Sequence, residues 1–396
     1  MVNLVIRSGS LRMGGIERVL IEVLQNLDRK KYNISLFIED DSGKENVFLK
    51  DIPKDIDLYF LKPESLIRQT ESYRNKKKNL FYKIMYELYM RKERNLTLKN
   101  TLKNLEKVKE KYGEIDVFLD YDWGARRYIN KIKSKKKIIW IHSSISNLLK
   151  KKSKIDRFGK NIKNYDKIVT ICDEMKKEAE ELYPFLKGKI EKCYNPFNFE
   201  RIIKLSNDYS ELNEEQKKLI KDNYIIAVSR LDFNSKDYET LIRGYKKSLT
   251  EGIKEKLYIV GDGADKEKIV KLIKNEKLEK NVILIGKMKN PYVWMKNAKL
   301  FVHSSYFEGL PTVIIEAMIC GKVVLSSNCP TGPKEILNKE NCGVLFEMKN
   351  KDDLAQNLEY LLLKENLDSY KERINRRIEE FRIENVMKEY DKAILE

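Results

Sequence analysis

The sequence predicts two α/β units in tandem, each a doubly wound parallel sheet. Three observations lead there. The chain has 396 residues, too many for one ordinary core and suited to two domains of about 150 to 200 residues. Short apolar, β-branched runs alternate with stretches of helical periodicity along most of its length, which is the pattern of repeated strand-helix-strand units. The alternation breaks near CYNPFNFERI at 193–202, an aromatic, Pro-containing stretch followed by the polar run SNDYSELNEEQKK, and a linker is expected there. The predicted boundaries are 1–198, 199–380 and a C-terminal helix, 381–396, crossing back to the N-terminal domain.

The elements follow in order. VNLVIRSG reads as a strand, and LRMGGIERVLIEVLQNL carries apolar residues at Ile16, Val19, Leu20, Val23, Leu24 and Leu27, a helical spacing. The helix is expected to begin near Glu17. ISLFIE (34–39), VFLD (117–120), KIIWIH (137–142) and KIVTIC (167–172) are the next strands expected. Between them lies a Lys- and Tyr-rich segment in which Leu80, Phe81, Ile84, Met85 and Leu88 share one helical face among basic neighbours. Such a face can dock on a membrane surface or cap the sheet, and both readings stay open. After the linker the alternation restarts with YIIAVSRL (224–231), KLYIVGDG (256–263), NVILIG (281–286), KLFVHSS (299–305), KVVLSS (322–327) and GVLFE (343–347). A polar helical tail follows from about 351 to 396.

Composition narrows the classes. With 42% hydrophobic residues, 17 Gly and 8 Pro, the chain is neither disordered nor fibrous. No apolar run approaches the roughly 18 residues of a membrane helix, and the opening lacks a secretory h-region, so a cytoplasmic protein is expected. Five scattered cysteines and two histidines offer neither a disulfide framework nor a soft metal site. The net charge of +18 is concentrated: residues 62–112 carry +9 and residues 131–160 carry +10, leaving −1 for the rest. A local basic field of that size draws polyanions such as an anionic bilayer surface or a phosphorylated substrate.

Parallel sheets bind ligands at the carboxyl ends of their strands, so the loops there are where chemistry is expected. Gly14 and Gly15 precede the first helix, whose N-terminus favours an anion. Ser229-Arg230 ends a strand and Lys236 lies six positions on, two cations suited to a diphosphate. The sharpest signal is FEGLPTVIIEAMICGK, in which Glu308 and Glu316 flank a Gly-Leu-Pro-Thr turn entering an apolar helix. Free amides near Gly309, Leu310, Thr312 and Val313 suit phosphate, and the carboxylates suit vicinal hydroxyls. His303, inside LFVHSS, reads as structural.

The second half resembles the retaining GT-B glycosyltransferases of family 4, through SRLDFNSKDYETLI, YIVGDG, VILIGKMKNPYVWM and SSYFEGLPTVIIEAMICGKVVLSSNCPTGPKEIL. In the first half the resemblance rests on Gly14-Gly15-Ile16-Glu17-Arg18 and IIWIHSS. Asp237 stands where the family usually shows Gly. The resemblance implies the GT-B fold, two Rossmann-like domains facing a cleft, and a UDP-sugar donor. Arg230, Lys236 and the amides of Gly15 and Leu310 to Val313 would hold the diphosphate, Glu316 the ribose, and Glu308 the transferred sugar. The loop at Lys287 and Met288 would hold the base, and His142 would approach the sugar. No metal cofactor is implied, and Asp120-Tyr121-Asp122, with Trp123, is read as lining the acceptor side. NCPTGPKEIL resembles the capsule and O-antigen branch, which implies a glycan acceptor on a polyprenyl diphosphate at the inner face of the membrane. Two rivals are a GT-B-like UDP-sugar epimerase, which would need more acid/base groups around the sugar, and a basic polyanion-binding protein. No nucleic-acid signature is present.

Overall fold

In the computed structural model, residues 1–338, 341–363 and 366–396 are described. The chain forms two compact units: Met1–Ile171 with Lys176–Pro196 and Val386–Glu396, and Cys172–Met175 with Phe197–Asn385.

The first unit is built on seven parallel strands: β1 (Val2–Ser8), β2 (Tyr32–Asp40), β3 (Asp57–Lys62), β4 (Val117–Asp120), β5 (Lys136–Ile141), β6 (Lys167–Thr170) and β7 (Ile190–Lys192). Their order is β3-β2-β1-β4-β5-β6-β7, so the direction of winding reverses between β1 and β4. Leu4, Val5 and Ile6 of β1 are buried, as are Phe118 of β4 and Ile138 and Ile139 of β5, because helices cover both faces of such a sheet. The first helix runs Gly15–Asn26, starting two residues earlier than the periodicity indicates. β3 and β7 are strands the sequence does not announce.

The basic segment becomes a 33-residue helix, Leu80–Tyr112, whose first turn is capped by the Asn79 side chain accepting from Phe81 N–H at 2.9 Å. Its buried residues, Glu93, Thr97, Thr101, Asn104, Leu105 and Val108, recur at helical spacing. Leu80, Phe81, Ile84 and Leu88 are instead all at least half exposed, and Met85 is intermediate.

The helix Ile383–Leu395 ends inside the first unit. There Tyr390 stacks on Trp140 at 4.5 Å, and its hydroxyl meets that of Tyr121 at 3.2 Å. Asp391 accepts from Tyr32 Oη at 2.8 Å and Lys31 Nζ at 2.5 Å.

The second unit has six parallel strands: β8 (Tyr224–Val228), β9 (Lys256–Val260), β10 (Val282–Gly286), β11 (Leu300–His303), β12 (Val324–Ser327) and β13 (Val344–Phe346), in the order β10-β9-β8-β11-β12-β13. Every one lies within a run that the sequence marks as a strand. Its reversal point falls between β8 and β11. All five cysteines are free thiols. Among the described residues no helix is long and apolar enough to cross a membrane.

Candidate functional site

The second unit gathers polar groups where β8 and β11 end. From β8 the chain passes Ser229 and Arg230, whose side chain is exposed and feels the charge of Asp232 two residues on. This turn is held against the loop after β9, where Leu231 N–H donates to Asp262 O at 3.0 Å. Gly261 and Gly263 are needed there. A Cβ on Gly261, at φ +149°, would lie 1.9 Å from Ser229 O, and one on Gly263 would lie 2.3 Å from Leu231 O.

Lys236 follows, fixed by its neighbour. Asp237 caps the helix Tyr238–Thr250, its carboxylate accepting from Thr240 N–H and Oγ1 at 3.1 and 2.7 Å and from Tyr306 Oη at 3.1 Å. The Asp237 amide donates to Ser304 O and the Ser304 hydroxyl to Asp237 O. These two backbone contacts tie the Lys236 loop to the end of β11, and the Asp carboxylate adds the cap and the contact to Tyr306. Lys236 Nζ reaches Ser305 Oγ at 3.1 Å and pairs closely with Glu308 Oε1.

Glu308 also accepts from Ser305 Oγ at 2.7 Å and lies 3.1 Å from His303 Nε2. Burial by itself raises the Glu308 carboxyl pKa, but Lys236 and then His303 outweigh it and hold the group ionised, well below the usual carboxylate range. The carboxylate and the Lys236 ammonium neutralise each other, as two groups this buried require. His303, assigned a structural role from sequence, belongs to this cluster.

Glu308 leads into the helix Thr312–Ile319, which has no side-chain cap. The amides of Gly309, Leu310, Thr312 and Val313 have no acceptor among the described residues, so this end can take an anion. Glu316 is buried on the same helix and accepts from Tyr292 Oη at 3.2 Å, apart from the Glu308 cluster. Lys287 is exposed on the loop after β10, and Met288 Sδ lies 3.6 Å from Gln216 Nε2.

In the first unit, Gly15 opens the helix after β1, and a Cβ there would enter open space. Asp120 departs from its sequence assignment. It is fully buried at the end of β4, accepting from Tyr165 Oη at 2.6 Å and Ala125 N–H at 2.9 Å, with Arg7 at 3.4 Å. Burial pushes its carboxyl pKa up, opposed by Arg7. It holds the loop from inside and presents nothing to an acceptor. Asp122 and Glu39 both pair closely with buried Arg7. Trp123 adopts a left-handed backbone, φ +59°, and packs edge-on to Phe158 at 5.0 Å. His142 is 8% exposed beside Tyr121, and among the described residues neither ring nitrogen has a hydrogen bond of good geometry. Burial lowers its pKa to about 4, against a smaller raising effect of the Tyr121 backbone. Among the described residues no three His, Cys, Asp or Glu side chains gather as a metal site.

Comparison with known proteins bears on the second unit above all. Residues 208–380 match the model of glycosyl transferases group 1. An uncharacterised glycosyltransferase of Methanocaldococcus jannaschii is 36% identical over 176 residues, 44% of this chain and 43% of that protein. The Campylobacter jejuni N-acetylgalactosamine-N,N'-diacetylbacillosaminyl-diphospho-undecaprenol 4-alpha-N-acetylgalactosaminyltransferase is 32% identical over 211 residues, 52% of this chain and 57% of that one. The chain therefore spans about half the length of these curated relatives. The structure of Anabaena HepE in complex with UDP superposes with a TM-score of 0.73 at 16% identity, covering 100% of this chain and 99% of that one. Residues 208–380 are thus similar to the glycosyl transferases group 1, and the two doubly wound units are those of the GT-B fold.

Proposed function

We propose that the protein is a retaining glycosyltransferase that moves a hexose or N-acetylhexosamine from a UDP-sugar to a glycan acceptor carried on a polyprenyl diphosphate, in surface-polysaccharide assembly. The observation that carries this reading is the Lys236-Glu308 pair, with Glu308 four residues before the uncapped helix Thr312–Ile319 and exposed Arg230 just after the neighbouring strand β8. HepE was solved with UDP, and the name of the C. jejuni relative specifies an undecaprenyl-diphosphate-linked acceptor.

In this reading Arg230, Lys236 and the amides of Leu310 to Val313 take the diphosphate, which leaves with additional negative charge. Fixed cations and amides at that point stabilise the transition state more than the ground state. Glu316 accepts from ribose hydroxyls, backbone groups near Lys287 and Met288 meet the base, and Glu308 accepts from a hydroxyl of the sugar. The acceptor hydroxyl attacks the anomeric carbon from the face the diphosphate leaves, and its proton passes to the departing phosphate oxygen. The C–O bond to the acceptor forms as that to the diphosphate breaks, and no side-chain nucleophile is required.

The basic stretches 62–112 and 131–160 serve an anionic membrane surface, where the enzyme meets its acceptor from the inner face. Incubation with a panel of UDP-sugars, with and without bacterial lipid extract, tests the assignment by mass spectrometry. UDP release with a glycosylated lipid, undiminished by EDTA, is expected. An isomerised UDP-sugar without transfer would make the protein an epimerase, and activity abolished by EDTA and restored by magnesium would overturn the metal-free mechanism.

A further inference from the structure

We infer that His303 is a positioning residue for Glu308, donating its Nε2–H to Oε1 and so fixing which carboxylate oxygen is left for the substrate. The inference deepens the functional reading and rests on Glu308 being the carboxylate that meets the sugar.

All the side-chain contacts of Glu308 fall on one oxygen. Lys236 Nζ, Ser305 Oγ and His303 Nε2 converge on Oε1; Nε2 is also 3.1 Å from Ser305 Oγ, and because that hydroxyl spends its one hydrogen on Oε1 the ring's N–H bridges the two oxygens. Oε2 has no hydrogen-bond partner among the described residues, and it is not sealed from solvent. A carboxylate oxygen offers about two lone-pair sites, so Oε1 is saturated and Oε2 is the acceptor that remains. Three donors on one oxygen also fix the rotation of the carboxylate plane.

The ring is held from its other side. His303 is the last residue of β11, and its register partner on β12 is Ser326. Ser326 Oγ lies 2.9 Å from His303 Nδ1 and 3.1 Å from Ser327 O. An imidazole that donates from Nε2 accepts at Nδ1, so the Ser326 hydroxyl turns its hydrogen to the ring, the nearer of its two acceptors. Ser326, His303 and Glu308 then form one directed chain from the sheet to the site. The ring is 3% exposed, which favours its neutral form. Neutrality suits the role, because Lys236 already supplies the positive charge that Glu308 needs.

The two histidines of the chain make the test direct. Imidazole nitrogen NMR on labelled wild type, with His142→Phe to assign the second ring, reports the tautomer without any turnover. The expected result is the Nε2–H tautomer at His303, with a slowly exchanging proton that shifts in Glu308→Gln. An Nδ1–H tautomer, or a ring exchanging between the two, overturns the inference. Kinetics supply the second arm. His303→Leu is expected to lower kcat by about 10- to 100-fold, the scale of a hydrogen bond to a charged group, with the donor KM unchanged. His303→Gln, whose amide can donate in place of Nε2, is expected to recover most of it. Equal loss in both variants, or a change confined to KM, would contradict a positioning role. A wild type that binds UDP but transfers nothing brings down the functional reading instead, and the tautomer still decides this one.

Discussion

Glu308 and Glu316 are the same side chain seven residues apart in the gap between them, placed in different surroundings, and they should fail differently. Glu308 is ionised against Lys236 with one oxygen free, whereas Glu316 is buried on a helix face against Tyr292. Glu308→Gln is expected to lower turnover about 100-fold or more and leave UDP binding intact. Glu316→Gln should weaken UDP binding about 10-fold, the loss of a charged acceptor to a hydroxyl pair. Calorimetry with UDP alone separates them, and equal loss of affinity in both would refute the division of roles. His142 makes a prediction about stability. Its folded pKa of about 4 lies below its ordinary 6.5, so on acidification the unfolded chain takes up the proton first. The stabilisation is fully present above about pH 6.5 and is lost as pH falls toward about 4, by at most about 1.4 kcal/mol per pH unit. Thermal melts across that window should show a shallower decline in His142→Phe. An unchanged slope would mean that the ring is solvated in the folded protein.

At the scale of elements, Asp237 joins a cap to a site. Asp237→Ala is expected to cost about 1 kcal/mol of stability and to weaken UDP binding by loosening the Lys236 loop, while Asp237→Asn keeps the cap and most of both. Denaturant melts and UDP titration on the two variants check this, and full UDP affinity in Asp237→Ala would detach the cap from the site. The helix Leu80–Tyr112 carries the second element prediction. Its exposed Leu80, Phe81, Ile84 and Leu88 sit beside Lys76, Lys77, Lys78 and Lys83, a pairing suited to anionic headgroups. The protein should co-sediment with anionic vesicles at low salt and less at high salt, and a Phe81→Ser, Ile84→Ser double variant should bind less. Equal sedimentation with neutral vesicles would rule out the electrostatic part. These elements also show what a sequence makes legible. The strands of the second unit are continuous apolar runs and stand out, whereas β3 is half-exposed and holds Asp57, Tyr59 and Lys62, and β7 has three residues. Glu308 and Glu316 are legible because their spacing is local. The clustering of His303 with Ser326, 23 residues away across two strands, and of Arg7 with Asp122, 115 residues away, is written only in the register of a sheet.

Over the whole molecule, the two units differ in how they are assembled from the chain. The second is nearly continuous, but the first is completed by Val386–Glu396, where Tyr390 fills the space against Trp140 and Tyr121. Tyr390→Ala is expected to remove about 3 to 5 kcal/mol from the first unit, as truncation of a buried aromatic does. Hydrogen exchange read over β4 and β5 would register it, with the second unit unchanged. Uniform loosening of both units would show instead that they unfold as one. The same arrangement sets an order of events at the ribosome. The first unit emerges first, yet its last helix is translated only after Phe197–Asn385, so its Trp140 face stays uncovered while the whole second unit is made. Of the two units in this sequence, the one translated earlier is the one completed later, and until then its uncovered aromatic face is open to non-native contacts.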